Sequence, residues 1–182
     1  MPFNERVEIY IERIIEQFQK NPELFLTESD LKCRLFMELD SDPVLSQEEV
    51  TKDGAHRTNY VHSETAYFVE GRLDKNRVDI TVVKPSNYDF ANQQIVGRKG
   101  YYFVEPSIGI ELKLNKLMYK NDIITNLIKD LKKLTALKTF REESTFYLLF
   151  LDKKNIVSQE DIDWLQNSFK TVKIFHSTID SN

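Results

Sequence analysis

A run of six apolar residues, Phe-Tyr-Leu-Leu-Phe-Leu at positions 146–151, constrains the fold of this chain more than any other feature. The run is short for a helix, and it has no polar position that could face water. It is typical of a β-strand that is buried on both faces, as strands of parallel sheets are. Such a strand needs a covering layer on each side, so the run predicts a central sheet between helices.

Other segments supply the covering helices. Apolar residues recur at the three-and-four spacing of helices that bury one face, and the predicted helices cover residues 3–20, 27–39, 121–137 and 158–169. Thr27 and Asp30 match a capping box at the start of the second helix, and Ser158 is the expected cap of the last. We expect Trp164, in the last helix, to be part of the core.

The remaining strands follow from runs of β-branched and aromatic residues. They cover residues 60–69, 77–83, 101–114 and 172–175, in addition to 146–151. The first two are predicted to form a hairpin joined by the polar residues between them. Residues 40–59 are predicted to be a surface loop, and residues 85–100 a loop or a short element. Hairpin strands come first and helix-linked strands last, which predicts an α/β fold with a mixed sheet.

Length and composition favour one domain. A chain of 182 residues buries a core of ordinary size, so we expect residues 1–182 to fold as a unit. The single cysteine, Cys33, cannot form an internal disulfide and matches no zinc motif, which favours a reducing compartment. The amino-terminal residues are interrupted by charges, unlike a signal peptide or a membrane span. We therefore expect a cytoplasmic protein that does not contact membranes.

Charge is distributed unevenly along the chain. The net charge of −4 argues mildly against a protein that coats nucleic acid. Residues 113–141, however, contain eight lysines and arginines against only Asp122 and Asp130. One region of an acidic molecule can therefore be positive.

Three charged residues interrupt two apolar strands. Because side chains alternate along a strand, Asp79 is predicted to lie opposite the face that carries Val78, Ile80 and Val82. In the later strand, alternation places Glu111 and Lys113 together on one face. Buried charges are costly unless they are paired or bind a metal.

Glu111 and Lys113 alone could be a salt bridge on a solvent-facing sheet surface, since Glu-x-Lys is a common tripeptide. The earlier aspartate, Asp79, shifts the balance towards a functional site. With a helix before the hairpin and a helix and strand after the Glu-x-Lys strand, the order of elements resembles the PD-(D/E)XK, or restriction-endonuclease-like, nucleases. Asp79 matches the motif aspartate and residues 111–113 match the (D/E)-x-K, whereas Val78 replaces the motif proline. The resemblance covers a core of about residues 27–151.

The resemblance implies a nuclease that depends on Mg²⁺ or Mn²⁺ and hydrolyses phosphodiester bonds of DNA, with RNA not excluded. Asp79 and Glu111 are the expected metal ligands, with Glu64 as a further one. Lys113 is the expected electrostatic catalyst. Glu28, on the first core helix, is a fourth catalytic candidate, although it could equally favour the helix dipole and pair with Lys32 on the surface.

Further expectations concern binding. Lys116, Lys120, Arg98 and Lys99 are candidates for contact with nucleic acid. A homodimer is plausible, because cutting both strands of a duplex requires two active sites. The alternative function is a nucleic-acid-binding or assembly protein that keeps this fold without cleaving. A third possibility is an unrelated α/β domain whose match to the motif is accidental.

Overall fold

The computed structural model describes residues 1–69, 72–88 and 107–179. The helices within these ranges are α1 (Phe3–Lys20), α2 (Glu28–Asp40), α3 (Lys120–Phe140) and α4 (Gln159–Ser168). The strands are β1 (Glu49–Val50), β2 (Arg57–Thr58), β3 (Val61–Val69), β4 (Arg72–Val83), β5 (Ser107–Asn115), β6 (Thr145–Asp152) and β7 (Lys173–Thr178). Short 3₁₀ turns follow α1 and β4, at Pro22–Leu24 and Pro85–Asn87.

The central sheet has five strands in the order β3-β4-β5-β6-β7. The pairs β3–β4 and β4–β5 are antiparallel, whereas β5–β6 and β6–β7 are parallel. The prediction of a mixed sheet flanked by helices is confirmed. The parallel part arises because α3 and α4 serve as the crossovers that parallel neighbours require, whereas β3 and β4 are antiparallel neighbours that follow each other closely in the chain.

Each face of the sheet has its own core. Tyr147, Leu149 and Leu151 of β6 pack in the core under α1 and α2, which we call the front core. The intervening residues, Phe146, Leu148 and Phe150, pack under α3 and α4 in the back core. All six side chains are at most 1% exposed, so the prediction of a strand buried on both faces is confirmed.

Helix starts follow the sequence closely. Thr27 and Asp30 form a reciprocal capping box at the start of α2. Ser158 and Asp161 form a second one at the start of α4. Each box satisfies amide donors of the first turn that have no partner within the helix.

Three expectations about local structure were wrong. Residues 72–76, predicted to be part of a polar connection, belong to β4, because the backbone ladder continues to the pair Val69↔Arg72 whatever the polarity of the side chains. Within the predicted loop 40–59, β1 and β2 form a short ladder around a turn in which Gly54 has a φ of 73°. Trp164 is 54% exposed, because Ile162 and Leu165 form the inward stripe of α4.

The predicted strand 101–114 is described only from Ser107 onward, where β5 begins, and most of the predicted loop 85–100 also lies outside the described residues. Within residues 1–69, 72–88 and 107–179, no helix is both long enough and apolar enough to cross a membrane.

Candidate active site

Strands β4 and β5 separate in the middle of the sheet. Their pairing runs only from Val83↔Ser107 to Ile80↔Ile110, although β5 stays paired with β6 to its end. We call the gap that opens between the strands, lined by Asp79 and Glu111, the fork. Beyond the last pair, amide donors of β5 that a neighbouring strand would bond are bonded by carboxylates instead. Leu112 N donates to Asp79 Oδ2 at 2.9 Å, and Leu114 N to Glu28 Oε2 at 3.3 Å.

Strand β4 moves from one core to the other at Asp79. Val78 is buried in the back core, whereas Ile80 and Val82 are buried in the front core. The prediction that these three residues share one face is therefore wrong. Opposite this point in β3, Glu64 has a φ of 55°, a left-handed conformation that is uncommon for residues other than glycine. The alternation of β4 side chains between the two faces of the sheet fails at this point, where Glu64 of β3 takes the left-handed conformation and β4 separates from β5.

Glu111 is buried at the fork. It is 8% exposed, and its Oε2 lies 2.7 Å from Lys133 Nζ of α3. Burial and then the negative charge of Asp79 raise the pKa of Glu111 to about 7, despite the nearby Lys133 ammonium. The Glu111 carboxyl group can therefore gain or lose a proton near neutral pH, as functional carboxyl groups often do.

Asp79 is less enclosed, with 24% of its side chain exposed. Burial raises its pKa, against the lowering effects of the Leu112 amide and of Lys32. Lys32 Nζ of α2 lies 3.9 Å from Asp79 Oδ1 and forms an ion pair with Glu64. The negative charge of Glu64 raises the pKa of Asp79 further, so Glu64 belongs to the same electrostatic group.

Lys113 lies on the Glu111 side of β5. Its Nζ is 3.3 Å from Asp130 Oδ2 of α3 and 3.5 Å from Glu28 Oε2 of α2. Burial acts to lower the pKa of Lys113, but the charges of Asp130 and Glu28 outweigh it and the pKa is raised. Lys113 is therefore a firmly charged cation at this site. The alternative of a solvent-facing Glu111–Lys113 salt bridge is wrong, because α3 covers this face and supplies a separate partner to each residue.

The structure brings together all five predicted catalytic and metal-binding residues: Glu28, Glu64, Asp79, Glu111 and Lys113. It adds Lys32, Asp130 and Lys133. The alternative in which Glu28 pairs with Lys32 on the surface is wrong, since Lys32 contacts Glu64 and Glu28 contacts Lys113. Lys133 is only 16% exposed and pairs with Glu111.

A signal for two of the added residues is present in the sequence. Asp130 and Lys133 are three positions apart, so they share a side of α3 next to the apolar stripe that contains Leu127, Leu131 and Leu134. Because Asp130 and Lys133 border the buried stripe of α3, their side chains could contact charged residues on a strand beneath the helix. The sequence does not show which strand lies beneath it.

The lysines predicted to contact nucleic acid lie beyond the end of β5. Lys116 Nζ donates to Leu26 O at 2.9 Å, and Lys120 Nζ is 2.6 Å from Asp161 Oδ2. Both side chains are in exposed positions. Arg98 and Lys99 lie outside the described residues. The nucleic-acid role of these four residues stays a prediction.

Acidic side chains outnumber basic ones at the fork. Five carboxylates and three lysines surround it, an excess of two negative charges when all are ionised. The mutual repulsion of Asp79 and Glu111 is the kind that a hard cation with oxygen ligands relieves. Among the residues that the structure describes, no group of three or more histidines, cysteines, aspartates or glutamates is arranged to hold a metal. A metal at the fork would therefore need ligands beyond its carboxylates, and Mg²⁺ commonly keeps several waters.

Comparisons with protein-family models, with curated proteins and with solved structures found no match for this chain. We therefore infer function from the residues at the fork.

Proposed function

We propose that this chain is a Mg²⁺-dependent nuclease with a restriction-endonuclease-like fold that hydrolyses phosphodiester bonds of DNA. The observation that carries the proposal is the meeting of Asp79 and Glu111 where β4 and β5 separate, with Lys113 charged beside them. A sheet that needed only stability would fill this position with apolar side chains, which cost nothing to bury.

The order of elements supports the fold assignment. Helix α2 brings Glu28 to the end of the sheet, a hairpin supplies Asp79, and the next strand supplies Glu111 and Lys113. Helix α3 and the parallel strand β6 then complete the core that the resemblance implies.

Mg²⁺ fits the donor set, and Asp79 and Glu111 would hold it. When bound, the ion would supply an activated water and neutralise charge that develops on the phosphate. Oδ1 of Asp79 would contact the ion, because Oδ2 already accepts a hydrogen bond from the Leu112 amide. That bond fixes the carboxylate in place. Lys133 offsets the charge of Glu111 and keeps part of it ionised near neutral pH.

Lys113 is the candidate for stabilising the transition state. Its ammonium group is held on two sides, by Asp130 and by Glu28, so its position is fixed before substrate binds. A fixed positive charge in a water-poor site stabilises developing oxyanion charge without reorganisation. Glu28 and Asp130 therefore act as positioning residues.

Cleavage of supercoiled plasmid DNA tests the proposal. We expect nicking with Mg²⁺ or Mn²⁺ and none with EDTA, and we expect Asp79→Asn or Glu111→Gln to slow it by at least about a hundredfold. Asp163→Asn, an exposed aspartate on α4, is the matched control and should cleave like the wild type. Equal cleavage by wild type and Asp79→Asn, or no cleavage of DNA or RNA by the wild type, would contradict the proposal.

The ion pairs favour a second candidate, a binding or assembly protein that does not cleave. Lys133 and Asp130 already neutralise Glu111 and Lys113, so the site is partly satisfied without a metal. Calorimetric titration with Mg²⁺ and with Mn²⁺ separates the two functions. Heat of binding that Asp79→Asn removes supports the nuclease, and a wild type without such heat supports the binding protein.

A further inference from the structure

An exposed apolar patch lies next to the fork, at the end of β5. Leu117, Met118 and Tyr119 are consecutive, and they are 77%, 39% and 82% exposed. Leu26, which is 59% exposed, lies beside them, since its carbonyl accepts the hydrogen bond from Lys116. Single exposed apolar residues are ordinary on protein surfaces, but a run of three is uncommon unless it has a function. We call residues 26 and 117–119 the apolar patch.

The patch is held rigidly. Asn115, at the end of β5, is fully buried and accepts the Met118 amide at 3.0 Å through its Oδ1. The Asn115 amide group donates to the buried Asp152 at 2.9 Å, and its carbonyl accepts from Lys153 N at 2.9 Å. After the turn, the carbonyl of Tyr119 accepts the amides of Asp122 and Ile123 at the start of α3. The exposed side chains therefore project from a fixed backbone, and a partner that binds them has little chain to order.

The surrounding charge indicates what the partner is. Between Glu111 and Asp122 the chain has three lysines, Lys113, Lys116 and Lys120, and no acidic residue. Lys116 and Lys120 flank the patch. Lys120 is 47% exposed and is paired with Asp161, which is 26% exposed, so a phosphate would compete with that carboxylate for the ammonium group. Aromatic and apolar side chains between lysines are the arrangement that binds single-stranded nucleic acid, because bases stack on the rings while lysines contact the backbone. In a duplex the base faces are covered by their neighbours.

We propose that the apolar patch is a stacking platform for unpaired bases, which makes single-stranded nucleic acid the substrate class of the fork; this inference rests on the proposed nuclease function. Glu111 and Lys113 lie on β5, and Leu117, Met118 and Tyr119 lie in the turn that follows it. Lys113 is four residues from Leu117, and Glu28 is two residues from Leu26. A single strand of nucleic acid whose bases stack on Tyr119 and Leu117 can therefore extend along β5 towards Glu111.

Fluorescence anisotropy with a labelled 20-nucleotide oligothymidylate, in EDTA so that no cleavage occurs, tests the platform. We expect Tyr119→Ala to weaken binding about tenfold, which corresponds to about 1.4 kcal/mol. Leu117→Ala should weaken it less, and a 20-base-pair duplex should bind more weakly than the single strand and respond little to either change. Phe140→Ala is the matched control, because Phe140 is 46% exposed at the other end of α3 and should not affect binding.

Thermal unfolding of Tyr119→Ala should match that of the wild type, because an exposed side chain is removed. Wild-type affinity in Tyr119→Ala overturns the proposal and assigns the patch to a protein partner. An equal loss in Phe140→Ala, or tighter binding of duplex than of single strand, overturns it as well. Binding that depends on Tyr119, without Mg²⁺- or Mn²⁺-dependent cleavage of plasmid, of single-stranded DNA or of RNA, would overturn the nuclease and leave the platform standing. Nicking by the wild type, together with an affinity for the oligonucleotide that Tyr119→Ala does not change, would support the nuclease and overturn the platform.

Discussion

Two buried carboxylates on neighbouring strands have opposite surroundings. Asp152, at the end of β6, is fully buried and accepts the amides of Lys154, Ile156 and Val157 at 2.8–3.0 Å. Glu111 of β5 is 8% exposed, and Lys133, from a separate helix, is its nearest cation.

The difference separates a carboxylate that is bonded to the backbone from one that is available for the proposed function. Backbone amides are fixed in place by the fold, and Asp152 uses its bonds to them to close the turn after β6 and to anchor Asn115. Glu111 has a side-chain partner and a second carboxylate nearby, and its pKa is raised to about 7. Its charge can therefore change with pH or with a bound cation, as a catalytic group requires. Four measurements test this difference between Asp152 and Glu111.

The largest effect is expected at Asp152. Asp152→Ala leaves one buried and two partly buried amides, together with the buried Asn115 side chain, without their acceptor, so the free energy of unfolding should fall by about 3–5 kcal/mol. Urea denaturation monitored by circular dichroism measures it. Asp163→Ala, on the surface of α4, should change stability by less than about 0.5 kcal/mol. A loss as small as that of the control would mean that Asp152 is dispensable.

The second effect is the contribution of Glu111 to the dependence of the free energy of unfolding on pH. Its folded-state pKa is raised to about 7 from 4.5, so the folded protein binds more protons than the unfolded chain between these values. Stability should therefore fall as pH rises through this window, by about 3 kcal/mol from this group. Glu111→Gln should remove that part of the slope, whereas Glu160→Gln, on the surface of α4, should keep it. Identical slopes in wild type and Glu111→Gln would refute the raised pKa.

The third effect concerns the partner of Glu111. Lys133→Met leaves the Glu111 carboxylate buried without a cation, so it should cost about 2 kcal/mol of stability at pH 8. At pH 5 Glu111 is protonated, and the cost should be smaller. Lys132→Met changes the adjacent, exposed lysine and should cost little at either pH. An equal loss of stability in Lys133→Met at pH 8 and at pH 5 would show that Lys133 does not offset the charge of Glu111.

The smallest effect is stabilisation by Mg²⁺. A ligand that binds only the folded protein and is present at ten times its Kd raises the free energy of unfolding by about 1.4 kcal/mol. We expect a corresponding rise in the thermal midpoint of the wild type at pH 8 and none in Asp79→Asn. Asp152→Asn, if folded, should keep the response, because Asp152 is bonded to amides and is not part of the fork. An equal shift in wild type and Asp79→Asn would place the ion elsewhere.

Local patterns were sufficient for much of the fold. The capping boxes at Thr27 and Ser158, the strand at 146–151 and the mixed order of strands depend on neighbouring residues and on chain connectivity. Trp164 was misplaced because a hydrophobic residue next to a buried stripe need not belong to it. The faces of β4 were misplaced because period-two alternation assumes a regular strand, and Glu64 breaks that regularity.

At the candidate site, the alternation of side chains along a strand was enough to predict that Asp79 interrupts an apolar strand and that Glu111 and Lys113 share one face of another. The partners of these three residues could not be predicted in this way. Lys32, Asp130 and Lys133 come from helices that lie across the strands, and their approach depends on how those helices pack. The physical reason is that alternation and helical spacing act over a few residues, whereas charge pairing acts through space between groups that can be distant in sequence.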